Sequence, residues 1–181
     1  MSTLWLYLII GVVAVALVAG IVIAAIVLYR RQVRRALIGL TGRREAVRAA
    51  YNALESVFVS LAESSKDDLA AFAVDPGSEH RKALEELHSR MRIQAEELAD
   101  IALPKRLWEA ADLLCAASGS LAAETGRVGE ANGAEGVLDA LGKIDVRGIA
   151  AVLRLANAEI DRLLVEHRIE DPAVYGGGLY I

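Results

Sequence analysis

Residues 4–29, LWLYLIIGVVAVALVAGIVIAAIVLY, carry no charge, and RRQVRR (30–35) follows them directly. As a helix the apolar stretch measures roughly 37–39 Å, against about 30 Å of bilayer hydrocarbon, so it can span with some tilt. Trp5, Tyr7 and Tyr29 stand near its ends, where amphipathic rings prefer the headgroup level. A signal peptide would show a basic leading flank, a shorter apolar run and a small-x-small cleavage site. Met1-Ser2-Thr3 holds no Lys or Arg and the run is too long, so a retained transmembrane helix is expected.

Charge gives the expected orientation. Between residues 30 and 48 lie seven arginines, including Arg30, Arg31, Arg34 and Arg35, and a single acid, Glu45. The positive-inside asymmetry places the N-terminus outside and the larger C-terminal part in the cytoplasm. These arginines set topology and also attract anionic lipid at about 1 kcal/mol each near the surface. Residues 49–181 carry 13 basic and 23 acidic side chains, an acidic body on a basic neck. Such a body is repelled by nucleic acid, and no aromatic residue interleaves the arginines, which argues against nucleic-acid binding. Arg outnumbers Lys 16 to 4, a bias that looks like a GC-rich bacterial genome, so the expected location is a bacterial inner membrane. The lone Cys115 excludes an intrachain disulfide and suits a reducing compartment.

From Val33 onward apolar residues recur at 33, 37, 40, 47, 51, 54, 58 and 61, with Arg44 taking one seam position. This heptad stripe predicts one long helix that continues the anchor through Gly39 and Gly42. Ser64-Ser65-Lys66-Asp67-Asp68 ends it, with a short turn of helix expected over 69–74. Asp75-Pro76-Gly77 marks a turn, and Ser78 is the expected N-cap of a second long helix, with seam residues 84, 87, 91, 98 and 101. Leu103-Pro104 makes a tight hairpin to a third, with seam 107, 111, 114, 118, 121, 125 and 128. Trp108 reads as a core anchor. The glycine-laden 126–136, GRVGEANGAEG, lacks the Lys-Ser/Thr pair and preceding strand of a phosphate-binding loop, so it reads as a flexible connection. A helical turn over 137–141 precedes Asp145, the expected N-cap of a last helix with seam 149, 153, 156, 160, 163 and 167.

The expected fold is all-α: a single N-terminal transmembrane helix continuing into a cytoplasmic antiparallel four-helix bundle, with a flexible C-terminal tail. The divisions are an anchor (1–29), a basic juxtamembrane stalk (30–48), the bundle (49–170, its first helix starting in the stalk) and a Gly/Tyr tail (171–181). The first helix exceeds the others in length, so its stalk is expected to project from the bundle with an exposed seam. Ala16, Gly20 and Ala24 make two small-xxx-small steps, a helix-association signal. Together these predict a homo-oligomer or a subunit of a membrane complex. In the tail, Val174, Tyr175, Leu179, Tyr180 and Ile181 are candidate anchors for a partner, by strand addition or carboxylate capture, against the plain alternative of a disordered end.

No catalytic arrangement emerges. Glu85-x-x-His88 is half of a di-iron motif, but His80 and His167 have no acid three residues upstream, so neither metal nor cofactor is expected. Cys115 reads as a small buried residue. The layout of a membrane-spanning N-terminus ahead of a helical bundle is similar to that of bacterial LemA-type membrane proteins. The stretch Leu40-Thr41-Gly42-Arg43-Arg44-Glu45-Ala46-Val47 resembles that family's basic pair before an apolar helix, although the Asn-Leu-Val stretch expected after a proline is missing. The resemblance implies a layout and no residue roles. The expected function is a non-enzymatic accessory or scaffold subunit acting through helix–helix and tail interactions. The alternative is a membrane-anchored sensory or signalling module hinged at Gly39 and Gly42.

Overall fold

A computed structural model describes the chain over residues 2–169, with side chains from Ala16 onward. Among these residues there are six α-helices and no strand: α1 (Ser2–Glu63), α2 (Lys66–Val74), α3 (Glu79–Asp100), α4 (Trp108–Glu130), α5 (Gly133–Gly142) and α6 (Val146–Glu166). A 3-10 turn, Lys105–Leu107, leads into α4. The tail residues Val174, Tyr175, Leu179, Tyr180 and Ile181 lie outside the described residues.

α1 is one unbroken helix of 62 residues. Residues 16–32 are all exposed, whereas Val33, Leu37, Leu40, Val47, Leu54 and Leu61 are buried on a single stripe. The heptad reading of this segment therefore locates the packed face, although Tyr51 and Phe58 of the expected stripe are only partly buried. The projecting stalk does not occur. Val33 and Leu37 are fully buried in the same core cluster as the rest of the protein, because the other helices reach down to that level. The seam that seemed to want a partner copy is covered by the chain itself.

The long helices run in alternating directions. Arg43 pairs with Glu97 at 2.9 Å and Ser60 Oγ meets His80 Nε2 at 2.8 Å, so α3 descends alongside a rising α1. Across the α3–α4 pair, His88 Nδ1 lies 2.7 Å from Ala122 O and Cys115 Sγ 3.5 Å from Ala95 O, again with opposed chain directions. Arg106 with Glu166 (3.2 Å) and Arg44 with Asp161 (2.7 Å) set α6 antiparallel to both α4 and α1. The shared core holds Leu84, Leu87 and Met91 of α3, Leu107, Leu114 and Leu121 of α4, and Ile149, Leu153, Ile160 and Leu163 of α6. The short α2 and α5 pack on one another, and their Phe72, Val137 and Leu141 extend that core.

The buried hydroxyls of α1 and α4 are satisfied locally. The Ser118 and Thr125 hydroxyls donate to Leu114 O and Leu121 O, and Thr41 Oγ1 donates to Ile38 O at 2.7 Å. Arg44 replaces a seam leucine at 6% exposure, held by Asp161 and by Glu45 at 3.2 Å. It fastens α1 to α6 at the cost of desolvating a guanidinium.

Three further expectations are corrected. Ser78 occupies the N-cap position of α3, yet its side chain makes no capping bond and its Oγ has no partner. Caps do form at Asp145, which accepts from the Gly148 N–H at the start of α6, and at Ser65, which exchanges bonds with Asp68 in a capping box at the start of α2. Trp108 is half exposed at the rim, its Nε1 donating to Leu103 O and its ring facing Lys105, because it points away from the seam that Leu107 occupies. Finally, 126–136 is mostly helix: α4 runs through Gly126 and Gly129 to Glu130, and α5 starts at Gly133 with φ 72°. Gly126 is needed for close approach, since a Cβ there would fall 2.8 Å from the His88 ring.

The glycines predict opposite outcomes for the same substitution. Gly42 has open space around its missing Cβ, so Gly42→Ala should stabilise the protein by about 1 kcal/mol. Gly126→Ala should destabilise it by about 1 kcal/mol, because the His88 ring must move and lose its bond to Ala122 O. In a His88→Ala background that sign should reverse; thermal unfolding of the full chain in detergent reads all three. At the Arg44 seam, Arg44→Met should be neutral or mildly stabilising. Asp161→Ala should cost about 1–2 kcal/mol by removing one carboxylate from a buried guanidinium, a loss moderated because Asp161 is itself exposed and Glu45 remains. Denaturant unfolding of both variants checks the pair.

Candidate functional site

The histidines are dispersed rather than gathered. His80 binds Ser60 at one end of the helix packing, His88 is occupied by the Ala122 carbonyl at its middle, and His167 caps α6 at the other end. No group of three or more His, Cys, Asp or Glu side chains stands together among the described residues. Cys115 is half-buried against Ala95 O. The Glu85-x-x-His88 half-motif finds no complement.

The concentration of function-bearing groups lies where α1 leaves the packed helices. Arginines at 30, 31, 34 and 35 stay helical because arginine is a good helix former, and the i, i+4 spacing stacks Arg30 beneath Arg34. Above them, two segments remote in sequence arrive at the same level. The 3-10 turn after Pro104 presents Arg106, and the end of α6 presents Glu166, His167 and Arg168.

The end of α6 is built in a specific way. The Ile169 N–H donates to Leu164 O at 2.9 Å and the Arg168 N–H to Val165 O at 3.1 Å, while Leu164 and Ile169 are both buried. This is a Schellman closure, whose left-handed position is ordinarily glycine or asparagine. Here it is Arg168, at φ 51°, the one non-glycine residue with positive φ among those described. A left-handed L-residue costs roughly 1–2 kcal/mol.

The three segments enclose a concavity of about 1020 Å³. Ala25, Ile26 and Val27 form an apolar lower wall, and Tyr29 stands at the boundary. Arg30, Arg31, Arg34, Arg106 and Arg168 supply the charge, with Val33 and His167 between. Arg30, Arg31, Arg34 and Arg168 make no ion pair among the described residues, whereas Arg106 holds Glu166. Glu166 is shared with Arg162 at 3.7 Å; Arg162 also donates to Glu159 and holds that carboxyl below the usual range. Among the described residues the site thus carries five guanidinium groups against one carboxylate that is already engaged. His167 Nε2 is covered and without a partner. Such an arrangement can bind an anion.

Of the four arginines singled out in the sequence, Arg30, Arg31 and Arg34 line this elbow, and Arg35 does not. Arg106, His167 and Arg168 were missed as site residues, although an antiparallel arrangement requires both the Leu103-Pro104 hairpin and the end of α6 to return to the anchor. Ala16, Gly20 and Ala24 are exposed, and nothing lies within 4 Å of a Cβ built on Gly20. Comparison with protein-family models, with curated proteins and with solved structures returned no match to this chain, so the geometry alone carries the functional reading.

Proposed function

We propose that the protein is a non-enzymatic, single-pass membrane protein in which an antiparallel four-helix bundle is carried rigidly on a transmembrane anchor. It serves as an accessory or scaffold subunit on the cytoplasmic face of a bacterial inner membrane. The observation that carries this reading is the continuity of α1. One helix is long and apolar enough to cross a membrane, and the same helix, without a break, supplies the central stripe of the core. A bundle so mounted holds its surfaces at a fixed height and angle above the bilayer, which is what a scaffold requires. The basic ring at residues 30–48 supports the orientation with the N-terminus outside.

The signalling alternative draws no support from the geometry of its proposed hinge. α1 is helical through Gly39 and Gly42, and the intervening Leu40 and Thr41 are both buried. Self-association now rests on the anchor alone. Its small-residue face at Ala16, Gly20 and Ala24 is open, whereas the seam above Val33 is already filled.

Trypsin applied to membrane vesicles of both orientations tests the topology. The arginine-rich region should be cleaved only in inverted vesicles; cleavage in right-side-out vesicles would reverse the orientation. For association, Gly20→Leu should weaken oligomers of the full chain in mild detergent by an order of magnitude, as one close backbone contact is lost. An oligomer of unchanged strength would move the contact elsewhere. Mass spectrometry of the wild-type preparation then names what travels with it.

A further inference from the structure

We propose that the elbow concavity is a binding site for the phosphate headgroup of an anionic phospholipid, with Arg168 as its protein-side clamp and Arg106 holding Glu166 aside. This inference rests on the membrane reading above and gives it a ligand. Three independent observations support it.

The first is charge without counter-charge. Arg30, Arg34 and Arg168 come from opposite ends of the chain to one cavity, and none has a carboxylate partner among the described residues. Like charges gathered in this way are held apart by solvent unless an anion joins them. All are arginine rather than lysine, and the guanidinium fork matches two phosphate oxygens at once.

The second is the backbone of Arg168. Its left-handed conformation at φ 51° occupies a position that glycine fills without strain. Strain of this kind points to a side chain retained for what it does rather than for what it stabilises. The Schellman bonds hold the backbone there, but the Arg168 side chain makes no hydrogen bond or ion pair with another described residue, and it lines the cavity.

The third is amphiphilic shape. The wall beneath the guanidinium groups is the bare apolar face of the anchor at Ala25, Ile26 and Val27, with Tyr29 at the boundary. A phosphate held at the arginines leaves glycerol and acyl chains to descend along that face. A soluble phosphate would use the upper half alone. Glu166 does not oppose the ligand, since Arg106 and Arg162 both engage its carboxylate.

The test uses the full-length protein in nanodiscs of phosphatidylcholine, titrated with phosphatidylglycerol and read by lipid retention in native mass spectrometry. Arg168→Gly should melt at a higher temperature than wild type, because the strained position becomes a glycine, and yet retain phosphatidylglycerol about fivefold less well, as one interfacial charge is lost. Arg106→Gln should show a comparable loss. Arg35→Gln, the same charge change outside the concavity, should lose clearly less than either, since it removes only diffuse attraction to the surface. Two results would overturn the site: Arg168→Gly and Arg106→Gln retaining lipid normally, or Arg35→Gln losing as much as they do, which would mean a diffuse field. Inorganic phosphate displacing the lipid completely would reassign the cavity to a soluble anion and also overturn it. Alkaline carbonate extraction separates this from the broader reading. A chain released without detergent refutes the anchor itself, whereas an integral chain with no preference for phosphatidylglycerol refutes only the headgroup site.

Discussion

The structure depends on one helix having to satisfy two environments in succession. In its first half α1 is apolar on every side, long enough to cross a membrane, and in its second half it is apolar along one stripe. The change occurs within a single turn, between the arginine pair at 30 and 31 and the fully buried Val33. Because no loop intervenes, the other helices must assemble against a rod whose direction is already fixed. Their lengths, 22, 23 and 21 residues for α3, α4 and α6, match one another and set the height of the core.

Within that core the closest pairing, α3 with α4, relies on small residues rather than large ones. Ala110, Ala111, Ala117, Ala122 and Gly126 are all buried along α4, and at Gly126 the missing Cβ leaves room for a side chain of α3. His88 fills the space at Gly126 and ends on a main-chain carbonyl, a polar contact that defines the register more sharply than leucines do. Arg44 plays a similar part between α1 and α6. Both residues trade some stability for a specified alignment.

Much of this was legible in the sequence because a period of three and four residues is a direct consequence of helical geometry. Every fully buried seam residue of α1, from Val33 to Leu61, follows from that spacing. What escaped was of two kinds. Local signals failed where a neighbour in space decided the outcome: glycines at 126 and 129 looked like a loop but lie in α4, since tertiary packing outweighs propensity. Trp108 looked like core because of its size, yet the adjacent Leu107 took the inward direction. The elbow escaped for a different reason. Its members are 60 or more residues apart in sequence, and Arg168 belongs to it only because a Schellman closure turns the chain there. No spacing rule links Arg30 to Arg106 and Arg168; only the alternation of helix directions does.

The unbroken course of α1 makes the bundle a pointer. A hydrophobic segment longer than the bilayer is thick accommodates the mismatch by leaning, and thickness varies among membranes and with lipid content. With no flexible joint to absorb the lean, any reorientation of the anchor is passed to the bundle degree for degree. The part of α1 above Val33 is a lever of about 46 Å, so about 10° of lean sweeps its far end through about 8 Å. Were the apolar half of α1 set in a bilayer, the α2–α5 end would move with its lean.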